Sequence, residues 1–132
     1  MTMSIDVTVA GDPASVIEKV TAALKDQGFG ILTRIDVDET FKTKIGADFR
    51  PYVILGACNP VLAHQALTAR PDVGLMLPCN VVVDQETEGA CLVRFIDPKM
   101  MMSFGELGQD PTLARLGSEA GDKIKAAADA LA

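Results

Sequence analysis

Hydrophobic and polar residues alternate with a period of two in several segments of the chain, and this alternation predicts β-strands. In SIDVTVA, Ile5, Val7 and Val9 would share one face of a strand, and the segments FGILTRIDV and CLVRFI repeat the pattern. PYVILGA is apolar almost throughout, which is typical of a strand that is buried on both faces. We therefore expect PYVILGA to occupy a central position in a sheet.

Elsewhere the apolar residues recur at helical spacing, and two of these segments begin in the same way. Asp12-Pro13 and Asn59-Pro60 each join a helix-capping side chain to a proline suited to the first helical turn. These signals predict helices over residues 13–28 and 60–70. An apolar stripe predicts a further helix over residues 111–131, and DETFKTKIG predicts one or two helical turns.

The predicted order of elements is strand, helix, strand, short helix, strand, helix, a hairpin of two strands, and a final helix. This order predicts an α+β fold, with one mostly antiparallel sheet and helices packed on one face. A chain of 132 residues without linkers or repeats fits a single domain over residues 1–132. The other face of the sheet would then be polar or be covered by a second copy of the chain.

Composition and charge argue against several classes of function. Eighteen acidic residues against twelve scattered basic ones give a net charge of −6, so we expect no nucleic-acid binding. The chain contains no apolar run long enough for a membrane span, and its first residues do not form a signal peptide. Three cysteines without framework spacing indicate free thiols, which predicts a cytoplasmic protein.

The stretch LGACNPVLAHQAL contains the main candidates for chemistry. If Asn59 caps the helix, Cys58 lies at the helix amino terminus, where unpaired N–H groups and the helix dipole favour a thiolate. Cys58 is therefore the predicted catalytic residue. His64, the only histidine, would lean back toward Cys58 and serve as a general base or a metal ligand.

A second Cys-Asn pair, Cys79-Asn80, follows an apolar run. If the third and fourth strands are neighbours, Cys58, Cys79 and His64 would share a pocket, where Asn59 and Asn80 would contact a ligand. The same two thiols and the imidazole could ligate a metal, although the Cys-x-x-Cys knuckle of zinc sites does not occur. In a purely structural interpretation, the cysteines are core residues, Asn59 is only a cap and His64 lies on the surface.

Two further features have both a functional and a structural interpretation. Arg50 could bind a carboxylate or phosphate ligand through its planar fork, although pairing with Asp48 or with a neighbouring backbone group is the simpler interpretation. The thioethers of KMMMSF are potential Cu(I) ligands. Three adjacent residues cannot all face one ion, however, so this run indicates adaptable packing.

Several motifs, taken in order, make the chain resemble a bacterial and archaeal family, domain of unknown function 302. These motifs are GFGILTRIDV, FRPYVILGACNP, LAHQAL, LPCNVVV and FIDPKMM, and together they extend over most of the chain. The resemblance implies an α+β fold of the TATA-binding-protein-like type and a homodimer. It implies no activity, and it leaves any cofactor unknown.

Two hypotheses follow from the sequence. In the first, a cytoplasmic homodimer binds a small ligand, a metal or a sulfur species at Cys58, with His64 and Cys79. In the second, the domain is a non-catalytic dimerisation module whose Cys-Asn pairs serve only the fold. The two hypotheses leave open whether the protein is an enzyme.

Overall fold

A five-stranded antiparallel sheet is the framework of the computed structural model, which describes residues 2–132. The strands are β1 (Ser4–Ala10), β2 (Gly30–Asp36), β3 (Tyr52–Cys58), β4 (Cys79–Thr87) and β5 (Ala90–Ile96). Their order across the sheet is β1-β5-β4-β3-β2, and every neighbouring pair is antiparallel. The predicted α+β class is therefore confirmed, and β3, which contains PYVILGA, has a strand on each side.

The helices that begin at Pro13, Pro60 and Pro111 were predicted from the sequence, whereas the one that begins at Pro98 was not. The helices are α1 (Pro13–Asp26), α2 (Val37–Ile45), α3 (Pro60–Ala69), α4 (Pro98–Met101) and α5 (Pro111–Leu131), with short 3-10 helices at Pro71–Met76 and Gly105–Gln109. The Asp12 carboxylate accepts the N–H of Ser15 at 2.8 Å and so caps α1. Within residues 2–132, no helix is both long and apolar enough to cross a membrane.

Hydrophobic side chains of the described residues form two clusters. The first cluster joins α1 and α5 to the covered face of the sheet, and Leu24, Phe95 and Ile124 are among its buried members. The second cluster lies where α3, α4 and the start of α5 meet. Its buried residues are Leu62, Ala66, Val73, Cys79, Met101, Met102, Leu107, Leu113 and Leu116.

The opposite face of the sheet, called the outer face below, carries the side chains that alternate with the core residues. One row of this face crosses all five strands in register, from Asp6 through Arg94, Val82 and Ile54 to Ile35. Ile54 and Val82 are half-buried, and Ile35 is exposed. The outer face therefore combines charged residues with uncovered apolar ones.

Candidate functional site

A small cavity of about 40 Å³ lies beside the second cluster. It is found where the end of β3 and the start of β4 meet α3 and the segment that precedes β4. Among the described residues, four that line it contain sulfur, namely Cys58, Cys79, Met101 and Met102. Asn59 also lines it, and the rest of the lining consists of alanine, leucine, phenylalanine and proline residues. The cavity is therefore almost wholly apolar, with room for a group of a few heavy atoms.

The pairing of β3 with β4 brings the two cysteines to this cavity. Ala57 is the register partner of Cys79, and Cys58 follows Ala57 as the last residue of β3. Cys58 is half-buried and Cys79 is buried. The neighbouring strands and the shared pocket that we predicted for these two cysteines are therefore present.

A close approach at Gly56 fixes the chain segment that leads into Cys79. A Cβ atom at Gly56 would lie 2.8 Å from Cγ of Pro78 and would collide with the Thr33 hydroxyl. Only a residue without a side chain leaves room for Pro78 at this position. Gly56 thereby leaves room for Pro78, the residue that precedes Cys79.

Asn59 caps α3, as predicted, and also ties this helix to α1. Its side-chain oxygen accepts the N–H of Leu62 at 3.3 Å, and its side-chain nitrogen donates to the Gln27 carbonyl at 3.5 Å. Both polar ends of the side chain therefore bond to backbone groups. A role for Asn59 in ligand binding stays a prediction.

Two surface depressions of the described residues adjoin the cavity on different sides. One, of about 430 Å³, shares Asn59 and Leu62 with the cavity. The other, of about 330 Å³, shares Leu77 and Met101 with it and also includes Asn80. Residues that line the cavity therefore also border two solvent-facing depressions.

His64 and Asn80 both lie outside the lining of the cavity, and their roles in ligand binding stay predictions. The side chain of His64 is exposed and does not line the cavity, because it lies on the side of α3 away from Leu62 and Ala66. Asn80 is also exposed, because side chains alternate along β4 and Cys79 takes the covered face. The cavity thus receives the two cysteines without the histidine.

Ionisable groups near the cavity are few. Burial raises the pKa of the Cys79 thiol to about 11, and the nearby charge of Cys58 also raises it. Within residues 2–132, no group of three or more His, Cys, Asp and Glu side chains is placed to hold a metal ion. The metal set of Cys58, His64 and Cys79 stays a prediction, although the exposed His64 does not line the cavity with the two cysteines.

Arg50 has a different partner from the one that we expected. Its Nε donates to Oδ1 of Asp84 at 2.7 Å and its Nη2 to Oδ2 at 3.1 Å, while Asp48 pairs with Lys42. Arg94 donates to the same Asp84 carboxylate at 2.8 Å. These hydrogen bonds hold the pKa of Asp84 below its usual value, and the bond from Arg50 has the largest effect. Arg50 thus belongs to an ion cluster on the outer face, away from the cysteines.

Sequence reasoning missed the contribution of α4 to the site. Met101 and Met102 both line the cavity, whereas we expected the methionine run only to fill space. The Asp97-Pro98 pair before this run is the same helix-start signal as Asn59-Pro60, and the Asp97 carboxylate accepts the N–H of Lys99 at 2.9 Å. That signal would have placed the methionines on a helix.

Comparisons with known proteins agree with this architecture. The sequence model of the family described as "Domain of unknown function DUF302" matches residues 5–131. Among solved structures, the crystal structure of an uncharacterized conserved DUF302 protein from Bacillus stearothermophilus is 32% identical and superimposes with a TM-score of 0.88, over 100% of both chains. No curated protein matches the chain. The chain therefore belongs to the DUF302 family.

Proposed function

We propose that residues 1–132 act as one cytoplasmic domain that binds a small apolar or sulfur-containing molecule in the cavity, and that Cys58 is the thiol that contacts it. The observation that carries this proposal is the position of Cys58 and Cys79 in the lining of one apolar cavity. An apolar pocket with few polar groups is the usual form of a small-molecule site. The three free cysteines are consistent with a reducing compartment.

The two thiols would have different roles in this site. Cys79 is buried and its pKa is raised to about 11, so it stays protonated at neutral pH. Cys58 is half-buried at the start of α3, so it is the thiol that a small reagent would reach first. Cys91 is fully buried in the first cluster and serves as an internal reference for an inaccessible thiol.

Methyl methanethiosulfonate is a suitable probe because it is small, partly apolar and transfers a sulfur-containing group. The Cys58 thiol loses its proton to solvent and its sulfur attacks the divalent sulfur of the reagent. A Cys58–S–SCH3 disulfide forms, the S–SO2 bond breaks, and methanesulfinate leaves with the electron pair. We expect Cys58 to be labelled at least about tenfold faster than Cys91 in the native protein, as measured by peptide mass spectrometry.

A matched pair of alanine substitutions tests whether the reagent enters the cavity. Ala66→Val narrows the cavity, whereas Ala127→Val adds the same atoms to the first cluster. We expect Ala66→Val to slow the labelling of Cys58 by about tenfold and Ala127→Val to leave it unchanged. Circular dichroism checks that each variant folds, and Ala63→Val is the second cavity variant. Equal labelling rates in the two variants, or equal rates at Cys58 and Cys91, would contradict the proposal.

The second candidate function is dimerisation through the outer face. Phe41 and Phe49 meet edge to face with ring centroids 5.5 Å apart, Phe49 lies 5.9 Å from Tyr52, and both phenylalanines are partly exposed. Ile35 on the edge strand is exposed as well. Uncovered apolar side chains of this kind favour contact with a second copy of the chain.

Analytical ultracentrifugation at micromolar concentration tests this candidate. We expect the native chain to sediment as a dimer and Phe49→Asp to sediment as a monomer, because a carboxylate would have to be buried in the contact. Val61→Asp is the control, since Val61 is exposed on α3, beside residues of α1 and α5, which cover the other face of the sheet. A native chain that sediments as a monomer would contradict dimerisation without affecting the cavity proposal.

A further inference from the structure

We infer that the cavity is a site for a soft monovalent metal ion, Cu(I), bound by the sulfurs of Cys58 and Cys79 with a thioether from Met101 or Met102. This inference rests on the proposed function, because it names a class of ligand for the same cavity. It differs from the metal set predicted from the sequence, because the histidine is replaced by methionine. All of the proposed ligand atoms are then sulfur, which is a soft donor.

The identity of the donors selects the ion. Thiolate and thioether sulfurs prefer Cu(I), whereas structural zinc sites need four ligands drawn from cysteine, histidine and carboxylate side chains. Among the described residues, only the two cysteines offer ligands of the zinc type at this cavity. Met101 and Met102 line the cavity while Met100 does not, so two of the three methionines of the run border one space.

Proton release accompanies binding at this site. A bare thiolate is unfavourable among apolar side chains, and a bound cation offsets that cost. When Cu(I) binds the two cysteine thiols, two S–Cu bonds form, both S–H bonds break and two protons leave to solvent, with no change in oxidation state. The complex of one Cu(I) with two thiolates carries one negative charge, against two for the thiolates without the ion, in a cavity without charged side chains.

The cavity also has a suitable size and position for this ligand. A volume of about 40 Å³ accommodates an ion without its water shell. The donors come from β3, β4 and the segment that starts with α4, so the fold holds them in place before the ion arrives. Preorganised donors reduce the free-energy cost of binding.

The test is an anaerobic titration of the reduced full-length chain with Cu(I), in competition with the chelator bathocuproine disulfonate. We expect one Cu(I) per chain, a sulfur-to-copper charge-transfer band, and two released protons per ion in weak buffer. Cys58→Ala and Cys79→Ala should each weaken Cu(I) binding by at least about a hundredfold. Met101→Leu and Met102→Leu, which conserve volume, should reduce it less, with at least one of them giving about a tenfold loss.

Met100→Leu and Cys91→Ala are the controls and should leave Cu(I) binding unchanged. The inference would be overturned if the native chain failed to hold Cu(I) against the chelator, if it bound Zn(II) equally well, or if Cu(I) stayed bound after both Cys58 and Cys79 were replaced. Labelling of Cys58 by methyl methanethiosulfonate together with absent Cu(I) binding would leave the proposed function standing and reject only the metal.

Discussion

Cys79 and Asp84 are two buried acidic groups on the same strand, and burial affects them in opposite ways. Cys79 faces the covered side of the sheet at 7% exposure, and its pKa is raised to about 11. Asp84 faces the outer side at 0% exposure, and its pKa is lowered. The difference lies in their partners, because two arginines donate to Asp84 and no cation lies beside Cys79 among the groups that shift its pKa.

The two faces of β4 therefore offer two kinds of chemistry. On the outer face, Arg50, Arg94, Asp84 and Glu86 balance one another, so this cluster stabilises the sheet and keeps no free charge for a ligand. On the covered face, the Cys79 thiol is neutral at pH 7, and no ionic partner shifts its pKa downward. A ligand suited to this side is apolar or soft, and a cation is accepted only if it displaces a proton from sulfur.

Replacing Asp84 should produce the largest effect, because it leaves two arginines without their shared carboxylate. We expect Asp84→Ala to lower the free energy of unfolding by about 3 kcal/mol. This value is at the low end of the range for breaking a buried ion pair, because both arginines keep contact with solvent. Urea denaturation measures this loss.

Glu86 provides the matched control within the same cluster. Its carboxylate is 55% exposed and lies 3.4 Å from Arg94 and 3.9 Å from Arg50. Glu86→Ala should therefore cost at most about 1 kcal/mol. Similar losses of unfolding free energy for the two substitutions would show that burial does not strengthen the ion pairs of Asp84. The contrast drawn above between Asp84 and Cys79 would then fail.

The raised pKa of Cys79 predicts a loss of stability in alkali. The thiol ionises at 9.0 in the unfolded chain and at about 11 in the fold, so the folded state binds more protons between these values. Stability is therefore complete below pH 9 and falls as the pH rises toward 11. For the metal-free protein we expect a loss of about 2 kcal/mol by about pH 10.5.

Cys79→Ala isolates this effect from the titration of lysines and tyrosine. The free energy of unfolding of the native chain should fall toward that of the variant, or further below it, as the pH rises from about 8.5 to about 10.5. A difference between the two proteins that stayed constant over this range would mean that Cys79 ionises normally in the fold.

The two asparagines that follow cysteines should give the smallest effects, and they should differ from each other. Asn59→Ala removes the cap of α3 and the bond to Gln27, so we expect a loss of about 1 kcal/mol. Asn80→Ala changes an exposed side chain and should stay within about 0.5 kcal/mol of the native chain. Equal costs, measured by urea denaturation, would contradict the assigned cap.

The sequence predicted the elements and part of the site, and the reasons for success and failure are physical. The Asn59-Pro60 signal acts within one turn of chain, so it located α3 correctly. The approach of Cys58 to Cys79 needed only the pairing of β3 with β4. We expected His64 near Cys58 because helical side chains tilt toward the amino terminus. That tilt does not determine which side of the helix faces the core, and His64 lies on the exposed side of α3.

The partner of Arg50 could not be predicted, because Asp84 is distant in sequence and meets it only through strand register. The local candidate, Asp48, instead pairs with Lys42. The cavity was hidden for a similar reason, since its lining comes from separate elements that meet only in the folded chain. Packing over long sequence separations is what residue patterns leave undetermined.

The most direct test of the central claim, that Cys58 and Cys79 share a ligand-binding cavity, is a crystal structure of the methyl methanethiosulfonate adduct. We predict that the methylthio group on Cys58 lies inside the cavity, within about 4 Å of Cys79 and Met101. A methylthio group that projects into solvent at the start of α3, with the cavity empty or closed behind it, would contradict the claim.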